Sequence, residues 1–301
     1  MNGWLHPLLD DLSDAKNWSY QAGGVCAAEP TALAALALAA HRRIDAAQAA
    51  CDRLTQLQFA DGGVPVMADQ TAPCWPTGWA VLAWSEFDSL TDDTKYHANA
   101  ERAVGYILSL HGRTMESLDD MGHNPRLDGW PWVAGTHPWS EPTAINLLAL
   151  KATGRSQHPR AREAAAMLID RLLPDGGCNY GNTTVLGQLL RPHVEPTGLV
   201  LAALAGEADE SGRLQRSLDW LKQIVGQTYG GASLAYALIG LTAHARRPTN
   251  ADRWLASAAQ SIRWNYQPLR KALIALAADS HALIALDENR RALKEPTPCS
   301  L

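Results

Sequence analysis

Two kinds of apolar segment alternate along nearly the whole chain. One kind is almost entirely Ala and Leu, as in "EPTALAALAL" from Glu29 and "EPTAINLLAL" from Glu141. The other is more charged and has apolar residues at i, i+3, i+4 and i+7, as in "RRIDAAQAACDRLTQLQ" from Arg42. Such a stripe is typical of a surface helix, whereas a helix that is apolar on all sides is buried. The pattern therefore predicts an inner layer of buried helices and an outer layer of amphipathic helices.

These segment pairs recur six times, with Gly-rich turns such as "QFADGGV" at Gln58 and "LPDGGCNYG" at Leu173 between them. A recurring helical pair is the signature of a repeat architecture. No segment shows the period of two that a strand requires. We therefore predict an all-α fold, a single (α/α)6 toroid over residues 1–301, with residues 281–301 as a C-terminal helical extension and tail. Inner helices are expected to begin near Pro30, Pro76, Pro142, Pro196, Ala232 and Pro268, and outer helices near Trp4, Asp45, Lys95, Pro159, Ser211 and Ala251.

Three of the predicted inner helices open with Glu-Pro-Thr, and a fourth, "PCWPTGW", has Trp75 in place of the Glu. We expect the Pro to be the first helical residue, where its missing N–H costs nothing. An acidic residue beside it gains about 0.3–1 kcal/mol from the helix dipole without any catalytic role. However, three carboxylates on one rim of a narrow cavity would raise one another's pKa, which allows a carboxyl group to donate a proton. The candidate general acids are Glu141 first, then Glu29 and Glu195.

A segment of unusual length, from His111 to Glu141, has no clear helical period and is rich in Gly, Pro, His and Asp. Loops of that length usually build a site or a lid. Asp119 and Asp120 lie within it, and Asp120 is a further candidate acid, although a solvated turn explains this pair equally well.

The chain contains many more Trp than Phe residues, eleven against two. Aromatic faces hold cations and flat apolar ligands, although any one of these residues is expected to pack between the layers. Together they predict an aromatic mouth that binds substrate, formed by Trp75, Trp79, Trp130, Trp132, Trp139, Tyr180 and Tyr229.

His193, Cys178 and Glu195 map to the same rim and offer imidazole, thiolate and carboxylate, which suit zinc or iron. Their spacing matches no metal motif, so we expect no cofactor and keep zinc or iron as the alternative. The net charge of −5 provides no basic patch for nucleic acid. Five cysteines without a CxxC pair, no secretory h-region and no apolar run that could cross a bilayer predict a cytoplasmic protein. Whether it has a protein partner stays open.

The repeats resemble the terpene cyclase and protein prenyltransferase superfamily, whose α-toroids include squalene–hopene cyclase. The resemblance is carried by Gln58 and Gly62 of "QFADGGV", by "DGGCNYGN" at Asp175, and by the Thr-Ala helix opening at Thr31 and Thr143. In class II cyclases an Asp-x-Asp-Asp-Thr-Ala segment opens an inner helix, and its middle Asp protonates the isoprenoid. The resemblance therefore implies that Glu29 and Glu141 occupy the position of that acid. The Asp-x-Asp-Asp motif itself is missing, and Val64 and Cys178 stand where the repeat motif has Trp.

The leading functional prediction is an isoprenoid-handling enzyme of cyclase type, in which a rim Glu protonates an apolar polyene held in the aromatic mouth. One alternative is a non-catalytic toroid that binds a lipid, an isoprenoid or a partner. Two further alternatives are a metal-dependent prenyltransferase-like enzyme and a carbohydrate-active (α/α)6 enzyme with two rim carboxylates as acid and base. A polar cavity would favour the carbohydrate alternative, but the inner helices predict a lining of Leu and Ala.

Overall fold

The computed structural model describes residues 3–21, 23–72, 74–116, 121–228, 230–262, 267–279 and 283. Within those residues, every predicted helix is present and begins within two residues of its predicted start. The helices are α1 (Leu5–Ser13), α2 (Ala28–Ala40), α3 (Ile44–Leu57), α4 (Thr77–Thr91), α5 (His97–Ser109), α6 (Ser140–Ala152), α7 (Pro159–Asp170), α8 (Val194–Ala203), α9 (Arg213–Ile224), α10 (Gly231–Ala243), α11 (Ala251–Ile262) and α12 (Pro268–Ala278). Apart from Leu283, the predicted extension at 281–301 lies outside the described residues.

The even-numbered helices form a closed inner ring, because each packs against the next and α12 packs against α2. The odd-numbered helices lie outside them, α3 on α2 and so on around the ring, with α1 on α12. A salt bridge of 2.6 Å between Lys271 of α12 and Asp11 of α1 joins the two ends of the chain. The predicted all-α (α/α)6 toroid is therefore confirmed.

Small residues allow the inner helices to pack closely. A side chain at Gly198 of α8 would lie 2.3 Å from the backbone oxygen of Tyr236 in α10. A side chain at Gly240 of α10 would lie 2.3 Å from the backbone oxygen of Gly198. Because a real Cβ cannot approach that closely, this helix pair requires glycine at both positions.

In three of the four Pro-Thr openings the Thr connects the preceding loop to its inner helix. The Thr77, Thr143 and Thr197 hydroxyls accept hydrogen bonds of 2.9 Å from the backbone N–H groups of Val64, Trp130 and Cys178. The Thr197 hydroxyl also donates to the His193 carbonyl at 2.6 Å, and the Thr77 hydroxyl donates to the Cys74 carbonyl at 2.7 Å. The copy that has Trp instead of Glu makes the same connection, so the architecture depends on the Thr and not on the Glu.

The predicted position of the Pro is wrong for four helices: α4 begins one residue after Pro76, and in the other three the Pro lies inside the first turn. Helices α2, α6 and α8 begin two residues before Pro30, Pro142 and Pro196. The third helical N–H still has no partner within the helix, so Pro removes no hydrogen bond there either.

The described residues also contain a short hairpin that no sequence period predicted. It consists of β1 (Thr184–Val185) and β2 (Gln188–Leu189), which pair antiparallel. Leu186 and Gly187 form its turn with φ of 50° and 73°, as in the tight turns that match the twist of a hairpin. Two residues per strand are too few to show alternation. No helix in the described part of the chain is long and apolar enough to span a membrane.

Candidate active site

Three glutamates converge on the centre of the ring from different sides. Glu29, Glu141 and Glu195 lie in the first turns of α2, α6 and α8. In the inner ring α6 is the neighbour of α8, whereas α2 lies opposite α8. The charge of Glu195 nevertheless contributes to the raised pKa of both Glu29 and Glu141. Carboxyl groups on opposite helices can act on one another in this way only if they face the middle of the ring.

Burial is the main cause that raises the pKa of Glu141 to about 7, and the charges of Glu195 and Glu29 add to it. Burial also raises the pKa of Glu29 to about 7; the Tyr20 hydroxyl, which donates to Oε2 at 2.8 Å, lowers it, and the charge of Glu195 raises it. Both carboxyl groups therefore hold a proton for a large fraction of the time at neutral pH. Carboxyl groups tuned in this way are suited to general acid catalysis.

The hydrogen bonds of the three carboxyl groups differ. Ser233, in the first turn of α10, donates to Glu195 Oε2 at 3.2 Å, and Tyr20 donates to Glu29. Glu141 makes no hydrogen bond with any described residue. None of the three bonds to a backbone N–H of its own helix within this part of the chain, so helix capping does not account for them.

A buried tyrosine lies below this rim. Tyr236 is one turn after Ser233 in α10 and is 5% exposed. Burial raises the pKa of Tyr236, and the charges of Glu29, Glu195 and Glu141 raise it further. The sequence analysis missed both residues; the signal was two polar groups three positions apart, on one face of the apolar segment "ASLAYALIGL".

A cleft of about 440 Å³ opens beside Glu195. Its lining is mainly polar: the carboxylate of Glu195, the hydroxyls of Ser233 and Thr228, the amide of Gln227, and the rings of Tyr180 and His193. The expected lining of Leu and Ala is wrong for this cleft, because those side chains are buried between the two helical layers.

Two members of the predicted aromatic mouth do not line a surface cleft, so the mouth is not formed as the full set. Trp79 and Trp130 are 0% exposed, so they pack inside the protein and are not available to a ligand. Trp130 Nε1 donates to the Ile107 carbonyl at 2.8 Å, and the Arg160 guanidinium lies 4.5 Å from its ring. Buried indoles with such contacts are structural.

The other described aromatics lie nearer the surface. Trp75 and Trp132 are partly exposed and meet edge to face, with ring centroids 4.7 Å apart. Trp139 and Tyr180 are 36% and 46% exposed, and the Tyr180 ring lies 5.2 Å from the ring of His193. Tyr229 and Asp120 lie outside the described residues.

The alternative metal ligands are not assembled. Among the described residues no group of three His, Cys, Asp or Glu side chains could hold a metal ion. Cys178 is fully buried, and burial raises the pKa of its thiol to about 12. His193 and Cys178 are joined through their backbones, since the His193 N–H donates to the Cys178 carbonyl at 2.8 Å. Zinc or iron at His193, Cys178 and Glu195 therefore has no geometric support.

No protein-family model matches the sequence, and no curated protein matches it. Among solved structures, the chain is similar to a GH76 α-mannanase of Bacteroides thetaiotaomicron, with a TM-score of 0.62 and 12% identity over 97% of this chain and 96% of that one. It is also similar to an α-1,6-mannanase of a Salegentibacter species, solved with α-1,6-mannotriose as an inactive variant with two aspartates replaced by asparagine. Here the TM-score is 0.61 and the identity 14%, over 95% of this chain and 99% of that one. An Escherichia coli α2-macroglobulin has a TM-score of 0.50 and 15% identity, over 92% of this chain but 42% of that one.

These comparisons correct the functional interpretation made from the sequence. The two mannanases share the toroid and are carbohydrate-active (α/α)6 enzymes, and they do not support a terpene cyclase, a prenyltransferase or isoprenoid chemistry. The physical reason is that the features behind the resemblance serve the architecture. The Gly-rich turns and the Thr at the helix start hold any ring of helical pairs together, so they carry no information about the substrate.

Proposed function

We propose that this chain is a carbohydrate-active enzyme that cleaves a glycosidic bond by acid and base catalysis at the rim. The observation that carries the proposal is the convergence of three rim carboxyl groups, two of which have a pKa near 7. Glycosidases use such a pair, in which a carboxylic acid protonates the departing oxygen and a carboxylate assists attack at the sugar carbon.

Glu141 is the general acid in this proposal. It has a raised pKa, and no hydrogen bond to a described residue competes for its proton. Glu195 is the partner carboxylate, since it lines the open cleft on the neighbouring helix and Ser233 orients it. Glu29 lies on α2, which α4 separates from α6, and its charge when ionised helps to raise the pKa of Glu141.

The repeats support a functional role for these glutamates. The Thr makes the same loop connection in the copy with Trp75 as in the copies with Glu141 and Glu195. A carboxyl group whose pKa is raised by folding costs stability when it is ionised, so the fold does not gain from these residues at neutral pH. That combination is characteristic of functional sites.

The lining of the cleft favours a sugar over an apolar chain. Hydroxyl, amide and carboxylate groups around Glu195 can exchange hydrogen bonds with sugar hydroxyls, and the Tyr180 ring offers a face for stacking. Since two structural neighbours are α-mannanases, we propose α-mannosides as the first substrates to test. In one neighbour, replacing two aspartates accompanies loss of activity. The adjacent Asp119 and Asp120 are therefore a second candidate pair of carboxylates in this chain.

The test measures the hydrolysis of a panel of α-mannosides and other glycans through the reducing ends that hydrolysis releases. We expect turnover by the wild type and its loss in Glu141→Gln and Glu195→Gln, with Glu210→Gln as a matched exposed control. Loss only in the Asp119→Asn, Asp120→Asn double variant would move the chemistry to that pair. Turnover that survives in all of these variants would refute the carboxylate mechanism.

A further inference from the structure

Three clefts join into one groove along the rim. The cleft beside Glu195 shares Tyr180 and His193 with a second cleft of about 200 Å³. The second cleft shares Trp139, Gly181 and Asn182 with a third, of about 250 Å³, which is walled by the long loop. The groove therefore runs from Glu195 past two exposed aromatic rings to the loop between α5 and α6.

The end of the groove far from Glu195 is cationic. Arg191 lines the second cleft, and Arg113 and Arg171 line the third. No Asp or Glu side chain is among the described residues that line these two clefts. The guanidinium groups of Arg113 and Arg191 are exposed and make no hydrogen bond or ion pair with a described residue.

Two carboxylates beside this end have partners among the described residues. Asp170 pairs with Arg171 and accepts a hydrogen bond of 2.9 Å from the Asn124 N–H. Glu116 pairs with Arg126 at 2.6 Å. Arg171 is only 5% exposed, and its Nη1 also donates to the Asn124 carbonyl at 3.2 Å.

A histidine also lines the third cleft. Burial lowers the pKa of His123, the charge of Arg171 lowers it further, and the charge of Asp170 raises it. His123 is thus held neutral at pH 7, where it can donate or accept a hydrogen bond beside the arginines. A cationic pocket with unpaired arginines is unexpected in a chain whose net charge is −5.

We propose that this cationic end binds the anionic group, a carboxylate or a phosphate ester, of a charged carbohydrate whose sugar ring lies toward Trp139 and Tyr180. Guanidinium groups bind such oxyanions through two parallel hydrogen bonds, and the exposed indole offers a stacking face for a sugar between the anion site and Glu195. The proposal rests on the proposed function for the sugar, whereas the recognition of negative charge rests on the groove alone.

The test is titration calorimetry of the full chain with mannose 6-phosphate, glucuronate, mannose and inorganic phosphate. We expect at least one of the two acidic sugars to bind about tenfold more tightly than mannose and more tightly than phosphate. Arg113→Gln and Arg191→Gln should each weaken the binding of that acidic sugar about three- to tenfold without changing the binding of mannose. Arg126→Gln, an exposed arginine of the same loop that is paired with Glu116, should change neither.

Equal affinity for mannose and both acidic sugars would overturn the proposal, and so would phosphate that binds as tightly as the acidic sugars. Insensitivity to both arginine variants would also overturn it. These outcomes separate from those of the hydrolysis panel. Acidic sugars that bind without any turnover would leave this inference standing and remove the hydrolase proposal. Turnover of neutral glycans without binding of acidic sugars would do the reverse.

Discussion

The two ends of the inner ring use charge in opposite ways. At the C-terminal ends of the inner helices, basic side chains donate hydrogen bonds to carbonyls of a neighbouring inner helix or of the residues just after it. These are His41 to Ala275 at 2.7 Å, Lys151 to Ala203 and Ala205 at 2.9 Å, His244 to Leu201 at 2.8 Å and Arg247 to Ala277 at 2.8 Å. Lys151 and Arg247 also form ion pairs with Glu207 and Asp252.

At the N-terminal ends, the three glutamates have few partners, and Glu141 has no hydrogen bond with a described residue. Both ends follow the helix dipole, with acids at the N-termini and bases at the C-termini. The difference lies in whether the charges are satisfied. Paired charges connect the helices, whereas half-buried carboxyl groups that have at most one hydrogen-bond donor each remain available for chemistry. We therefore assign stability to one end and function to the other.

The largest expected effect is on catalysis at the N-terminal end. If Glu141 is the general acid that we propose, Glu141→Gln should lower kcat by about 10²–10⁴ while the fold is kept. Steady-state hydrolysis together with circular dichroism measures both. A Gln variant with wild-type kcat would break the comparison, because the unpaired end would then have no catalytic function.

The second-largest expected effect is a loss of stability at the C-terminal ends of the inner helices. Lys151→Met leaves the Ala203 and Ala205 carbonyls without their donor and removes the Glu207 ion pair, so the free energy of unfolding should fall by about 2–3 kcal/mol. Urea denaturation measures this loss, and kcat should not change. The exposed Lys222→Met is the matched control in α9 and should be nearly neutral. A large loss of kcat in a folded Lys151 variant would contradict the division between the two ends.

The third expected effect is on stability, and it distinguishes the structural role of Thr197 from the proposed catalytic role of Glu195 in the same helix opening. Thr197→Val leaves the buried N–H of Cys178 without its acceptor, so the free energy of unfolding should fall by about 1–2 kcal/mol. Thr55→Val is the control, because the Thr55 hydroxyl makes only a bond to the Cys51 carbonyl in its own helix. Equal stability of the two variants would show that Thr197 does not connect the loop to the helix. The fold could then depend on the Glu of the same opening.

The smallest effect is the pH dependence of stability. The pKa of Glu141 is raised from 4.5 to about 7 by folding, so the folded state binds the proton more tightly than the unfolded state. The stabilisation is fully present below pH 4.5 and is lost as the pH rises to about 7. At pH 8, Glu141→Gln should therefore be more stable than the wild type by about 1 kcal/mol, with allowance for screening by solvent. Unfolding curves at pH 4 and pH 8 test this, and a less stable variant at pH 8 would contradict it.

The fold could be predicted from the sequence because burial leaves a recognisable pattern in each layer: the inner helices are apolar throughout, and the outer helices carry an apolar stripe. The Ala and Leu of α2 and α8 are apolar on all sides, and the stripe of α9 faces the core, so both layers are visible without coordinates. The hairpin at Leu186 could not be predicted, because two residues per strand leave no period.

The site could be predicted only in part. The equivalence of Glu29, Glu141 and Glu195 follows from the repeats, and the structure brings these three together. The contributions of Ser233 and Tyr236 depend on which face of α10 points to the ring, and an apolar helix does not reveal its orientation. Trp79 and Trp130 were misassigned because the same residue type serves the core and the rim, and burial alone distinguishes them.

The most direct test of the central claim is the titration of the Glu141 carboxyl group by ¹³C NMR, in the wild type and in Glu195→Gln. We predict a pKa near 7 in the wild type, because burial and the charges of Glu195 and Glu29 raise it. We also predict a lower pKa in the variant, because the charge of Glu195 is gone. A wild-type pKa near 4.5 that does not respond to Glu195→Gln would show that the carboxyl groups do not converge, and would contradict the proposed site.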